Sequence, residues 1–251
     1  MLDAASALGQ MRRSLTIARK DIRLYYSKGP VIIFGILFPV FLFLSFSIGR
    51  NLTVDSMIPG LLGMILFFTA TAISPIVVPW EAQARTLERL MSSPVKTETI
   101  ILGDILASTA FGMAISLVAI VFGLGMGVQI SHALVFSVAV ILSALCFASL
   151  GSVFSVPPTS MPSTVNMIAS VVKFPVIFIS GVFIPLAELP AWGQAIAYIS
   201  PLTYFTDIAR ISMQGQGHLP IAVDLLALLA FTLLFIFAAM RLHRRTMPRR
   251  I

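Results

Sequence analysis

The sequence predicts an all-α membrane protein. It should have six transmembrane helices, an N-terminal amphipathic helix at the membrane surface, and short re-entrant helices before the last span. Three observations predict this. Of the 251 residues 58% are hydrophobic and only 11% are charged, whereas a soluble domain carries roughly 25% charged residues. Mean hydropathy is +0.98. Six apolar stretches, 30–49, 57–80, 100–128, 133–156, 164–184 and 221–240, each contain at least 20 residues. At ~1.5 Å rise per residue each can cross a hydrocarbon core of ~30 Å. A net charge of +7 then points to membrane headgroups rather than to nucleic acid.

Before the first stretch, Leu8, Met11, Leu15, Ala18, Ile22 and Tyr25 recur at a spacing of three to four and share one helical face. Arg12, Arg13, Arg19, Lys20 and Arg23 flank that face. Residues 8–28 therefore read as a helix in the membrane interface, with its apolar side in acyl chains and its bases on anionic headgroups. Ile17 and Leu24, on the opposite side, fit packing on protein instead. The first apolar stretch begins only at Pro30 and is too long for the apolar region of a signal peptide.

Orientation follows from the bases. Fourteen of the 17 Lys and Arg residues lie before the first stretch, after the second, or in the C-terminal tail. The alternate connections hold only Arg50 and Arg210. By the excess of positive charge on cytoplasmic loops, both termini are cytoplasmic, in a multi-pass inner-membrane protein. The segment between the fifth and sixth stretches is broken by Pro185, Pro190, Pro201 and Pro220 into apolar pieces too short to span. Such pieces suit re-entrant or interfacial helices, with aromatics such as Trp192, Tyr204 and Phe205 at headgroup depth.

Catalytic signatures are missing. There is no G-x-x-x-x-G-K-[ST] phosphate loop and no G-x-S-x-G elbow. His132, His218 and His243 lack metal-ligand spacing. The single cysteine, Cys146, lies inside an apolar run and reads as a packing residue. The chain is therefore expected to be no enzyme and to hold no cofactor or metal of its own. Lys173 is the one cation deep inside an apolar stretch, where an uncompensated charge costs ~2.5–3.5 kcal/mol or more. It can line a polar translocation path or meet an anionic substrate group; the bland alternative is snorkelling, or pairing with Asp104 or Asp224 for assembly.

The connection after the second stretch reads Glu81-Ala-Gln-Ala-Arg-Thr-Leu-Glu-Arg-Leu-Met-Ser-Ser-Pro-Val95. Glu81/Arg85 and Arg85/Glu88 have helical ion-pair spacing, Leu87, Leu90 and Met91 form a small apolar face, and Ser93-Pro94 ends the helix. Residues 81–92 thus read as a short helix suited to docking on a soluble partner, or as a plain solvated one.

This loop resembles the pattern E-x-E-R-G-T-x-E-x-L-x-x-[ST]-P-[VI] of ABC-2 type permeases, the membrane subunits of ABC exporters. Glu81, Thr86, Glu88, Leu90, Pro94 and Val95 match, while Gln83, Ala84 and Arg85 stand where the pattern has Glu, Arg and Gly. Ser180-Gly-Val-Phe-Ile-Pro185, Leu189-Pro190 and Pro201-Leu-Thr-Tyr-Phe-Thr-Asp-Ile-Ala-Arg210 are similar to the family's second signature, with Ser200 where Asn is usual. The resemblance covers nearly the whole chain. It implies that residues 1–251 form a single transmembrane domain that dimerises and binds two copies of a separate ABC ATPase, which alone binds ATP. Residues 81–92 would be the coupling helix, with Thr86, Leu87, Glu88 and Met91 at the ATPase interface. The motif form points to export of a drug, antibiotic, lipid or glycan. The competing class is an ion-gradient carrier or channel without an ATPase; it would require carboxylates deep in the spans.

Overall fold

The computed structural model describes residues 2–26, 33–48 and 54–247. All regular structure there is helical. The elements are α1 (Leu2–Tyr25), α2 (Phe38–Ser47, entered through a π-turn at Ile33–Leu37), α3 (Val54–Ala70), α4 (Ser74–Gln83), α5 (Thr86–Met91), α6 (Thr97–Gly125), α7 (Ala133–Phe154), α8 (Pro162–Ile179), α9 (Ala191–Ala197), α10 (Pro201–Gln214) and α11 (Ile221–Thr246). Five segments are long and apolar enough to cross a membrane: Met57–Gln83, Thr97–Gly125, Ala133–Phe154, Pro162–Ile179 and Ile221–Thr246. Of the first apolar stretch residues 33–48 are described, and they contain a shorter apolar helix, Gly35–Ser45; the two ends of the stretch lie outside the described residues. This is a multi-pass, all-α membrane protein.

The second stretch, read from sequence as one helix, is two. α3 stops at Ala70 and α4 starts at Ser74. Pro75 explains the break. It has no N–H to give the Thr71 carbonyl, and its ring crowds the preceding turn. The Thr69 and Thr71 hydroxyls bond back to Ile65 O and Phe67 O at 2.6 Å each, an arrangement that also bends helices.

α10 occupies the middle of the bundle, packed on α3, α7 and α11. Every residue from Pro201 to Arg210 is buried. At ~1.5 Å rise its 14 residues reach about 21 Å, short of a ~30 Å crossing. Tyr204 and Phe205 are buried in the protein core, while Trp192 on α9 is exposed. Gly63 on α3 allows the close approach, since a Cβ there would sit 2.7 Å from Thr206 Cγ2; Gly60 makes the same room for the segment after α8, where a Cβ would meet Val182 O.

α1 lies along α6. Its protein-facing side is Ser14, Ile17, Ala18, Asp21 and Tyr25, all buried. Met11, Leu15 and Ile22 form an exposed apolar stripe between that face and Arg12, Arg19 and Arg23. The expected apolar face is therefore divided, one edge on protein and the other free to meet lipid; the Leu8 side chain lies outside the described set.

Candidate functional site

The candidate docking element is α5. α4 ends at Gln83, Ala84 caps it, and Arg85 takes φ 55, ψ 20, the left-handed conformation. Residues 81–92 are thus a helix end, a sharp reversal and a new six-residue helix, not one continuous helix. This explains why the resembling pattern carries glycine at that position, since only glycine adopts this conformation without a steric cost. The Thr86 hydroxyl reaches back to Glu81 O at 3.2 Å and ties the new helix to the old one.

The reversal turns Leu87 inward. It is 1% exposed and joins Ile17, Val78, Ile100, Ile101 and Ile105 in one apolar cluster. Thr86, Glu88 and Arg89 face outward and Met91 is half-buried. Clefts of about 340 Å³ and 460 Å³ flank α5, one bordered by Leu24, Thr86 and Arg89, the other by Met91, Lys96 and Arg244. Of the four residues expected to dock, three are accessible, and Leu87 is an anchor.

Charged groups bind this region to α1. The Lys20 ammonium pairs with the Glu81 carboxylate and lies 3.0 Å from Asp21 Oδ1. Tyr25 OH donates to Glu81 at 3.3 Å, and its ring stacks on Trp80. The helical pairs Glu81/Arg85 and Arg85/Glu88 suggested by spacing do not form, because the chain reverses between them. Burial alone would lower the Lys20 pKa, but Asp21 and Glu81 outweigh it and hold it above the ordinary lysine value. Burial lifts Asp21 to about 6 despite the neighbouring lysine. Further along, Arg13 donates to Pro94 O, Ser14 to Thr99 O at 3.0 Å and Thr99 to Gln10 at 2.7 Å. Helical spacing marked Lys20 only as a flanking base; its pairing across 61 residues has no local signal.

Asp104 and Asp224 are buried, at 1% and 0% exposure. Asp104 lies two turns inside α6, with Oδ2 accepting from Ser74 at 3.2 Å. α6 begins at Thr97, earlier than hydropathy suggested, because Thr99, Asp104 and Ser108 find polar partners inside the bundle.

Lys173 is buried at 5% exposure and donates to Thr71 O at 2.5 Å. That is the carbonyl orphaned by Pro75, so the lysine caps the break in the second span rather than pairing with Asp104 or Asp224. No ion pair reaches it among the described residues. It borders a cavity of about 130 Å³ with Asn166, Ser170 and the rings of Phe38, Phe68 and Phe174. A larger groove of about 550 Å³ between α6 and α7 is bordered by apolar side chains and Ser137 and offers no charge.

The second motif is a hydrogen-bonded clasp around α10. Ser200 Oγ caps α10 by accepting from Leu202 N at 3.2 Å. Asn and Ser share this capping role, so the departure at this position preserves it. Ser180 and Ser200 hydroxyls meet at 2.6 Å, Thr206 donates to Ser180 O at 3.0 Å, and Arg210 donates to Gly181 O at 2.5 Å. Asp207 accepts from the backbone N–H groups of His218 and Leu219 at 2.9 and 2.8 Å. The two signatures thus mark the turn and short helix at one end of the bundle and the buried helix α10 within it. The ABC-2 type transporter family matches the chain over residues 12–214.

The chain belongs to that family.

Similarity to individual relatives is lower. The chain is 24% identical over 189 residues to the inner membrane transport permease YadH of Escherichia coli, covering 75% of this chain and 73% of that one. It is 29% identical over 170 residues to nodulation protein J of Rhizobium meliloti, 65% and 63% of the two chains. Over 192 residues it is 28% identical to ABC transporter G family member 20 of Dictyostelium discoideum; this is 74% of the present chain but only 26% of that protein. The ABC-2 chain therefore spans about a quarter of the Dictyostelium relative, and most of YadH.

Proposed function

We propose that this chain is the membrane subunit of an ATP-driven exporter, with residues 1–251 acting as one transmembrane domain. Two copies dimerise and carry two copies of a separate ATPase, which supplies the nucleotide site. A hydrophobic or amphipathic substrate, of drug, antibiotic, lipid or glycan type, leaves the cytoplasm along a path that includes Lys173. Both termini and α5 face the cytoplasm, a reading that the distribution of Lys and Arg supports.

One observation carries the reading: α5 is a rigid projection of the spans. Leu87 anchors it against α1, α4 and α6, and the Lys20–Glu81 pair and the Arg13–Pro94 bond fasten its flanks. A partner's conformational change can bias the spans only through contacts that differ between its states, and a rigid projection transmits such contacts. Thr86, Glu88 and Met91 supply the outer contact surface, and Leu87 positions it. Two polar contacts and one thioether suit a small cleft in a partner, with the partly exposed charges contributing ~0–1 kcal/mol each.

The test is co-purification with a co-expressed ABC ATPase subunit, recognised by its phosphate loop and ABC signature, together with its ATPase activity in nanodiscs. Thr86→Arg with Met91→Asp should abolish co-purification while the permease itself stays folded. A cysteine at Ser93, on a Cys146→Ser background, should resist an impermeant thiol reagent in intact cells, and one at Gln194 should react. Undiminished association of the double variant would remove α5 from the mechanism. It would favour the ion-gradient carrier, for which buried Asp104 and Asp224 would be the carboxylates to replace.

A further inference from the structure

We propose that the cavity between α2, α3 and α8 is a binding site for the anionic group, carboxylate or phosphate, of an amphipathic ligand. This rests on the reading of Lys173 as part of the transport path and names the chemistry that it selects.

The site is built from one face of α8. Asn166, Ser170, Lys173 and Phe174 follow at intervals of four, three and one, which stacks them on the same side of the helix. All four border the cavity of about 130 Å³, opposite Phe38 of α2 and Phe68 of α3. The polar members supply an ammonium, an amide and a hydroxyl, and no carboxylate among the described residues borders the space. Of the three N–H groups of Lys173, one is used, on Thr71 O. The Ser170 hydroxyl donates to Asn166 O at 2.8 Å, so its one hydrogen is committed to the helix, and the donors left for a ligand are those of Lys173 and the Asn166 amide.

The opposite wall is aromatic. Phe38 meets Phe68 at 5.3 Å and Phe174 at 5.8 Å between ring centroids, both edge to face. Polar donors on α8 together with the surrounding phenyl rings match a molecule with one negative group and an apolar body. The volume accommodates several water-sized groups at ~30 Å³ each, which is headgroup scale. Capping Thr71 O needs only a neutral donor. A cation there, with no carboxylate beside it among the described residues, is what an anion completes: it supplies the countercharge and forms charge-assisted hydrogen bonds.

The test uses 11-(dansylamino)undecanoic acid and its methyl ester, which share a body and differ in one charge. Binding is followed by dansyl fluorescence to the permease in phosphatidylcholine nanodiscs, with empty discs subtracted. The wild-type chain should bind the acid at least tenfold more tightly than the ester. Lys173→Gln keeps a donor for Thr71 O and should lose that preference, and Lys173→Arg should retain it. Should Lys173→Gln fold poorly, Asn166→Asp places a carboxylate beside the ammonium and should reject the acid while still binding the ester. Equal affinity of the wild type for acid and ester, or an unchanged preference in Lys173→Gln or Asn166→Asp, would overturn the proposal. Repeating the titration in phosphatidylglycerol discs separates the two sources of such an anion. Weakened acid binding assigns the site to a lipid headgroup, and unchanged binding assigns it to a ligand that lipid does not displace. Both outcomes require the anion selectivity proposed. No ATPase is needed, so failure here leaves the ATP-driven reading standing, and loss of ATPase docking leaves this site standing.

Discussion

Replacing Leu87 with alanine asks whether α5 is held to the spans from within. The side chain is 1% exposed and packs among Ile17 of α1, Val78 of α4, and Ile100, Ile101 and Ile105 of α6. A Leu→Ala change in such a site costs ~2–5 kcal/mol, rising with the cavity that persists. Collapse is restricted here, because a small void of about 10 Å³ bordered by Asp21, Glu81 and Asp104 already adjoins Leu87. Moving inward would push apolar surface onto those carboxylates, so a value of about 3 kcal/mol is expected. For a chain of this size ~1 kcal/mol shifts Tm by ~2–4 °C, which gives a drop of about 6–12 °C. The protein carries its own reporter. Cys146, the single cysteine, is buried in α7, so a fluorogenic thiol reagent reads unfolding in detergent. Glu88→Ala, on the exposed side of the same helix, should stay within about 2 °C of wild type. A Leu87→Ala shift equal to that of Glu88→Ala would refute the anchor, and with it the inward orientation of α5.

Two further outcomes follow from the same end of the bundle. Arg85→Gly should raise Tm by ~1–3 °C in the same assay, because a left-handed conformation costs a non-glycine residue ~1–2 kcal/mol and the flexibility of glycine returns part of that; a lower Tm would mean that the arginine side chain contributes more than its backbone strain costs. Asp21 has a folded pKa of about 6 against 3.8, so the folded protein binds a proton that the unfolded chain releases. Its contribution is present below about pH 4 and lost as pH rises through about 6. Lys20 and Glu81 face this carboxylate, and Asp104 shares the void beside it. Asp21→Asn should therefore be more stable than wild type at pH 7.5, by on the order of 2 kcal/mol, with the gap closing toward pH 4; a constant gap across that range would contradict the shift.

Much of this protein is legible from single-residue properties. Hydropathy needs no knowledge of neighbours, and the apolar stretches at 57–80, 100–128, 133–156, 164–184 and 221–240 each coincide with helices long enough to span. The proline-broken segment before the last helix does hold short helices, and its motif marks the family. What tertiary structure decided are the pairings. Pro75 can be read as a helix breaker in any sequence, but that Lys173 supplies the missing donor depends on α8 lying beside α4. Glu81 has a helical partner by spacing, Arg85, yet the reversal there directs it to Lys20. Leu87 joins an apolar face on a helical wheel, and only the angle between α4 and α5 turns that face inward. Whether an apolar segment enters the bilayer is a property of its own surface summed along the chain, and periodicity records it. Which polar atom meets which is a property of two distant segments brought together. No local pattern encodes it, because the desolvation that makes each pairing obligatory arises only once the helices have packed.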